Sequence, residues 1–192
     1  PHTPFVSIVM VVRNEANVLE NKLRNLLELD YPEDRREIVV TSDGSNDGSN
    51  EILSRHSSNH RIRVIVKPET QGKAAGLNDA VQTSKGELVV FTDARQKIES
   101  TAVRRLVENF ADSTIGCASG ELMLGNPAIG EECTRMGLYW RVEKHIRELE
   151  SASGSVVGAT GALYAVRRSL LVPLPPGTIL DDVYIPMNVV RK

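Results

Sequence analysis

Leu88-Val-Val-Phe-Thr-Asp-Ala-Arg-Gln96 runs from five strand-forming residues straight into a carboxylate, Asp93, and then a guanidinium, Arg95. An apolar run without polar alternation marks a strand buried on both faces, as in the middle of an α/β sheet. A carboxylate at the carboxyl end of such a strand lies at the rim where open α/β sheets bind ligands. A lone acid there does as well to cap a turn. Two other segments end the same way, however. A first strand, Phe5 to Val12, leads into Arg13-Asn14-Glu15, and a second, Glu37 to Thr41, leads into Ser42-Asp43-Gly44. In a parallel sheet these ends share one edge, so Asn14, Glu15, Asp43 and Asp93 are expected to face a common crevice. The helix amino termini beside them favour phosphate.

The rest of the chain supplies that sheet. The spacing of Leu19, Leu23 and Leu26 predicts a helix over Asn14 to Leu29, which Tyr31-Pro32 stops. A turn-rich Ser42 to Ser49 precedes a short helix ending near Ser57, and Arg63 to Val66 reads as a third strand. A helix opening near Lys73 carries Ala74, Leu77, Ala80 and Val81 on its apolar side, and another spans Ser100, as N-cap, to Phe110. Strands alternating with helices in this way predict a parallel sheet with right-handed crossovers. Beyond it the rhythm changes. Ile115 to Leu122 reads as a strand, Ile129 to Glu150 as a long amphipathic helix and Val156 to Val166 as glycine-rich extended chain. A proline-rich loop, Pro173 to Pro176, then precedes Ile179-Leu-Asp-Asp-Val183. With no repeat or linker, residues 1–192 read as one α/β domain with an elaborated second half.

Composition excludes several classes. Apolar residues make up 41% and charged residues 25% of the 192, as in a soluble globular protein rather than a disordered one. A net charge of -2 speaks against binding nucleic acid by neutralising its phosphates. Cys117 and Cys133 lack metal-type spacing, and no apolar run approaches the roughly 20 residues of a membrane-spanning helix. The sequence opens without Met and ends within an apolar stretch, Val189 to Lys192, as part of a longer protein would.

Two glycine motifs imitate nucleotide loops. Gly72-Lys73 lacks the first glycine of a Walker A loop, Lys67 standing there, and Ala74 replaces the metal-reaching Ser or Thr. Gly158-Ala-Thr-Gly161, with Asp181 twenty residues on, imitates a dinucleotide fingerprint, but apolar β-prone chain continues where a helix should start. Glycines there let a backbone pass close to a ligand. Adjacent acids such as Asp181 and Asp182 are commonly one solvated group and one cap. In a site, like charge or partial burial raises a carboxylate's pKa toward that of a general base.

Taken in order, Ser7 to Glu15, Asp43 to Ser49, Gly72 to Asn78, Phe91 to Arg95, Gly158 to Tyr164 and Leu180 to Asp182 resemble the family-2 glycosyltransferases over nearly the whole chain. The resemblance implies the GT-A fold, a Rossmann-like, mainly parallel mixed sheet flanked by helices. It implies an inverting transfer of a sugar from a nucleoside-diphosphate donor, a UDP-sugar foremost, to a hydroxyl of a glycan or lipid-linked acceptor. Glu15 and Asp43, with backbone from Val12 to Asn14, would hold the base, and Lys73 would lie near base or diphosphate. Asp93 would be the first acid of the Asp-x-Asp motif that holds Mg2+ or Mn2+. Asp182 would be the base and Asp181 its companion, with Gly161 and Ala162 lining the acceptor side. The family habit of membrane spans implies a place at the cytoplasmic face of a membrane. One position departs from the pattern: Arg95 stands where the second acid of Asp-x-Asp belongs. A guanidinium there repels a cation and attracts diphosphate directly, so cation and arginine remain alternatives. A sugar-nucleotide-binding module without turnover fits the same motifs. A nucleotidyltransferase would want a glycine- and arginine-rich loop after the first strand, which Arg13-Asn-Glu15 does not provide.

Overall fold

A computed structural model describes residues 3–120 and 159–191. Four strands are parallel and adjacent: β1 (Val6–Val12), β2 (Arg36–Asp43), β3 (Ile62–Lys67) and β4 (Leu88–Thr92). Helices α1 (Ala16–Leu27), α2 (Ser49–His56) and α3 (Lys73–Thr83) connect them, and α4 (Ala102–Asn109) follows β4. β5 (Cys117–Ser119) and β6 (Leu163–Arg167) complete a sheet of order β3-β2-β1-β4-β6-β5, and α5 (Asp181–Val190) closes the described chain. The mixed, mainly parallel α/β sheet is thus the architecture expected. Of the second half, Leu122 and the helix expected over 129–150 lie outside the described residues.

The near-uniform burial of β1, β2 and β4 follows from their sequences, since helices cover both faces. Leu19, Leu23 and Leu26 of α1 pack with Ile8, Met10, Val40 and Val90 on one face. Ala74, Leu77 and Ala80 of α3 pack with Val9, Val39, Val89 and Phe91 on the other. Close approach of α3 depends on Gly76, where an added Cβ would lie 2.9 Å from Val11.

β6 runs antiparallel to β4, with Thr92 opposite Leu163. Its amino-terminal end therefore reaches the edge where β1, β2 and β4 have their carboxyl ends. The 159–162 turn and the first turn of α5 meet there, because the Ala159 N–H donates to the Asp182 carbonyl (2.8 Å). That carbonyl is available because Pro186, four residues on inside α5, has no N–H to bond it. The extended chain expected from Val156 is strand only from Leu163 among the described residues. Ser100 is not the cap of α4, which starts after Thr101; Glu99 accepts the Thr101 N–H (3.0 Å) instead.

Loops at this edge are fastened by side chains. Asp43 is buried, and its carboxylate accepts from the Gln71 N–H (2.8 Å), the Gly72 N–H (2.9 Å) and the Thr70 hydroxyl (2.9 Å). Burial opposes the Asp43 charge, but these three donors outweigh it and hold the carboxyl below its usual range. Gly44, at φ +67°, brings the chain against Thr70, whose backbone N would lie 2.5 Å from an added Cβ.

Asp43→Asn keeps the shape and loses an acceptor, so it should cost about 2 kcal/mol at neutral pH. A depressed carboxyl stabilises the fold above its unfolded value, near 3.9, and that contribution is lost as pH falls through the lower folded value. Urea midpoints of parent and variant should therefore differ at pH 7 and converge on acidification. Equal midpoints at pH 7 would show that Asp43 does not fasten the 70–72 loop.

Candidate active site

Lys73 opens α3, and its ammonium lies 2.9 Å from Asp181 Oδ1 and 3.4 Å from Asp93 Oδ1. This one cation joins the carboxyl end of β4 to the amino end of α5. Burial works against the Lys73 charge, but Asp181 and then Asp93 outweigh it and hold the ammonium above its usual range. Asp181 is 4% exposed. Its other oxygen lies 3.5 Å from the Tyr164 hydroxyl, and burial, then the Asp181 charge, push that phenol far up. The Tyr164 ring stacks on Phe91 of β4 at 4.7 Å. Asp181 is thus neither solvated nor a simple cap.

Asp182 differs from its neighbour. It is half-buried, and an added Cβ on Gly161 would lie 2.8 Å from its Oδ2. The expected acceptor-side glycine and the expected base are therefore in contact. Ala162 follows, its carbonyl accepting from the Thr92 hydroxyl at 3.0 Å.

On the donor side, Glu15 and Arg95 form a bidentate pair, with Arg95 Nε at 2.9 and 3.1 Å from the two carboxylate oxygens. Arg95 is largely exposed and Glu15 is not. Both acids assigned to the base are thus engaged within the protein, Glu15 by Arg95 and Asp43 by the 70–72 loop. A carboxylate has about four lone-pair sites, and the three donors on Asp43 leave room for one more. Val12 ends β1 in the core, and Asn14 takes φ +55°, its side-chain carbonyl accepting the Asn46 N–H (2.9 Å).

Helix α1 is not an open phosphate site. Asp47 accepts the Ala16 N–H (2.9 Å) with one oxygen and the Ser49 N–H and hydroxyl with the other, capping α1 and α2 together. Sequence reading passed over Asp47 as one more turn acid. It also passed over Lys22, which is 3% exposed within the apolar stripe of α1. Its ammonium donates to Thr92 Oγ1 (2.9 Å) and to the Gln96 carbonyl (2.6 Å). Burial pulls this group down to about 8, against the pull of Asp93. A lysine in register with three core leucines was the available signal.

The described residues at this edge do not fit a divalent cation. Among the described residues no three acidic, histidine or cysteine side chains gather. The ammonium of Lys73 occupies the gap between Asp93 and Asp181, and the second acid of the motif is an arginine held by Glu15. A cation would have to settle beside two fixed positive charges.

Comparison with known proteins agrees with this architecture. Poly-beta-1,6-N-acetyl-D-glucosamine synthase of Staphylococcus epidermidis is 26% identical over 172 residues, covering 86% of this chain and 40% of that protein. Its counterpart in Staphylococcus aureus is 25% identical over 173 residues, covering 87% and 40%. The chain thus spans well under half the length of these relatives. The mannosyltransferase PcManGT from Pyrobaculum calidifontis, solved with GDP-Man and Mn2+, superposes with a TM-score of 0.85 at 28% identity, covering 98% of this chain and 52% of that one. TarS of S. aureus, solved with UDP-GlcNAc, shares the fold at a TM-score of 0.69 and 16% identity, covering 96% and 52%. The family model for glycosyl transferase family 2 matches residues 7–172. With its GT-A sheet, its acids gathered on one edge and that match over most of its length, the chain belongs to glycosyl transferase family 2.

Proposed function

We propose that the protein transfers a sugar from a nucleoside-diphosphate donor to an acceptor hydroxyl with inversion, in the synthesis of a glycan or polysaccharide. The observation that carries this reading is the Lys73 bridge, which holds the donor-edge acid Asp93 beside the acid pair of α5. The base lies against the backbone of Val12 to Asn14, with the remaining acceptor site of Asp43 and the carboxylate of Glu15 available to its N–H groups. Uracil is the base that the family resemblance implies; the likeness to an enzyme solved with GDP-Man makes a guanine donor the alternative to test beside it. Residues 1–112 form the donor half and 113–192 the acceptor half. In the whole protein the acceptor is a growing glycan or lipid-linked sugar at the cytoplasmic face of a membrane. No helix among the described residues is long and apolar enough to cross one.

Asp182 takes the proton of the acceptor hydroxyl as that oxygen attacks the anomeric carbon. The bond from this carbon to the diphosphate breaks on the opposite face, its electron pair leaving with the phosphate. Lys73 and Arg95 face the charge that develops there. Asp181, buried and paired, holds Lys73 in place, and Gly161 leaves room for the Asp182 carboxylate. Asp93 orients the donor from the end of β4. Preorganised charge aimed at the leaving group is the usual dominant contribution in such a site.

Asp182→Asn should lower turnover by roughly 10²- to 10⁴-fold while nucleotide affinity persists. Turnover at the parental rate would remove Asp182 from this role. Gly161→Ala should leave the fold intact but displace the Asp182 carboxylate, with loss in kcat and little in donor affinity; an unchanged kcat would show that the contact is idle. Chelator should leave sugar transfer and nucleoside-diphosphate binding by calorimetry unchanged. Loss of both, restored by Mn2+, would overturn the assignment of leaving-group charge to Lys73 and Arg95.

A further inference from the structure

Lys22 sits in the wrong company for a lysine. Its neighbours along α1 are the core residues Leu19, Leu23 and Leu26, and it is as hidden as they are. A buried ammonium is retained only where it is bonded, and here its acceptors, Thr92 and Gln96, belong to the segment that carries Asp93 and Arg95. Ala94 and Ile98 anchor this segment in the core. Between them it borders a cleft of about 450 Å³ against α1, lined in part by Asn21, Lys22, Asn25 and Gln96. Packing alone therefore does not hold it. Lys22 reaches across to the Gln96 carbonyl, and Asn25 fixes Ile98 by a reciprocal pair of bonds at 2.8 Å.

The second acceptor of Lys22 is what gives it reach. Thr92 Oγ1 accepts a hydrogen bond from the Lys22 ammonium and donates one to the Ala162 carbonyl. Lys22, Thr92 and Ala162 form a chain of two hydrogen bonds, 2.9 and 3.0 Å long, from α1 through the end of β4 to the turn beside Gly161. Asp93 follows Thr92 directly, and Gly161 precedes Ala162 and touches Asp182. One buried cation thus ties the donor-side turn to the acceptor-side turn.

We infer that Lys22 and Thr92 are positioning residues of the transfer reaction, setting the distance between the Asp93–Arg95 turn and the Gly161–Asp182 contact. Both side chains are buried, Lys22 at 3% and Thr92 at 5% exposure. Their effect is on the alignment of the two halves, so it falls on turnover rather than on donor binding. This inference rests on the transferase reading.

Thr92→Val keeps the β-branched shape and removes the hydroxyl, whereas Thr92→Ser keeps the hydroxyl and loses only a methyl. Each is measured for nucleoside-diphosphate release from UDP-GlcNAc and GDP-mannose, for UDP and GDP affinity by calorimetry, and for amide exchange at residues 160–163. Thr92→Val should lose about 10- to 100-fold in kcat, the scale of an ångström-sized misplacement. Its nucleotide Kd should stay within about threefold of the parent and its 160–163 amides should exchange faster. Thr92→Ser should restore parental behaviour in all three. Lys22→Met should match Thr92→Val, and the double variant should be no worse than the poorer single one, as members of one chain behave. Should Lys22→Met not fold, the two Thr92 variants decide the matter. Equal kcat in the Val and Ser variants, or a kcat loss mirrored in Kd, would overturn the inference. If the parent itself releases no diphosphate from either donor, the transferase reading fails, and amide exchange alone decides whether Thr92 holds the 160–163 turn. Equal exchange in the Val and Ser variants then ends it.

Discussion

The ammonium of Lys73 is the contact on which the edge of the sheet depends. Asp181 is almost wholly buried, and a carboxylate removed from water needs a partner or a proton. Lys73 is that partner, and it is the first residue of α3, so the position of α3 on the sheet is also the position of the charge. Gly76 lets α3 lie close against β1, and Asp43 holds the loop that enters it. A displacement of α3 would withdraw the cation from Asp93 and Asp181 together. The end of β4, the start of α5 and the core are in this sense one arrangement.

Much of this was legible in the residues, for reasons that differ by element. The buried strands announce themselves because helices on both faces leave no polar alternation, and the acids that end them must then share an edge. Asp181 was legible as a candidate and not as what it is, since its burial comes from Tyr164 and Lys73, far away in sequence. Asp47 was illegible for the same reason: its carboxylate caps α1 from another loop, and no local pattern marks such a cap. Lys22 carried a signal, a charge in an apolar stripe, though nothing nearby in the sequence names Thr92 or Gln96 as its acceptors. The motif that ends at Gly161 imitated a dinucleotide loop because close backbone approach is a common need, met at Gly161 beside a carboxylate instead of a phosphate.

Arg95 shows how a local departure changes the chemistry without changing the fold. An acid at this position would face Glu15 as a like charge, and the pair would call for a metal. The arginine satisfies Glu15 in two hydrogen bonds and leaves its guanidinium at the mouth of the groove. With Lys73 a few residues beyond β3 on the same edge, two positive side chains stand beside the acids that end β1 and β4.

The reversal of β6 explains how the 159–162 turn comes to this edge. A further parallel strand would have brought its carboxyl end, and so a loop like the others, to this edge. An antiparallel one brings its amino end, and with it the 159–162 turn. That turn needs a fixed neighbour, which α5 provides through the Asp182 carbonyl that Pro186 leaves unbonded within the helix. Backbone and side chain of Asp182 are thereby held by the same short turn, the carbonyl by the Ala159 N–H and the carboxylate by the space over Gly161. A proline that weakens its own helix by one hydrogen bond thereby fixes Asp182 against the 159–162 turn.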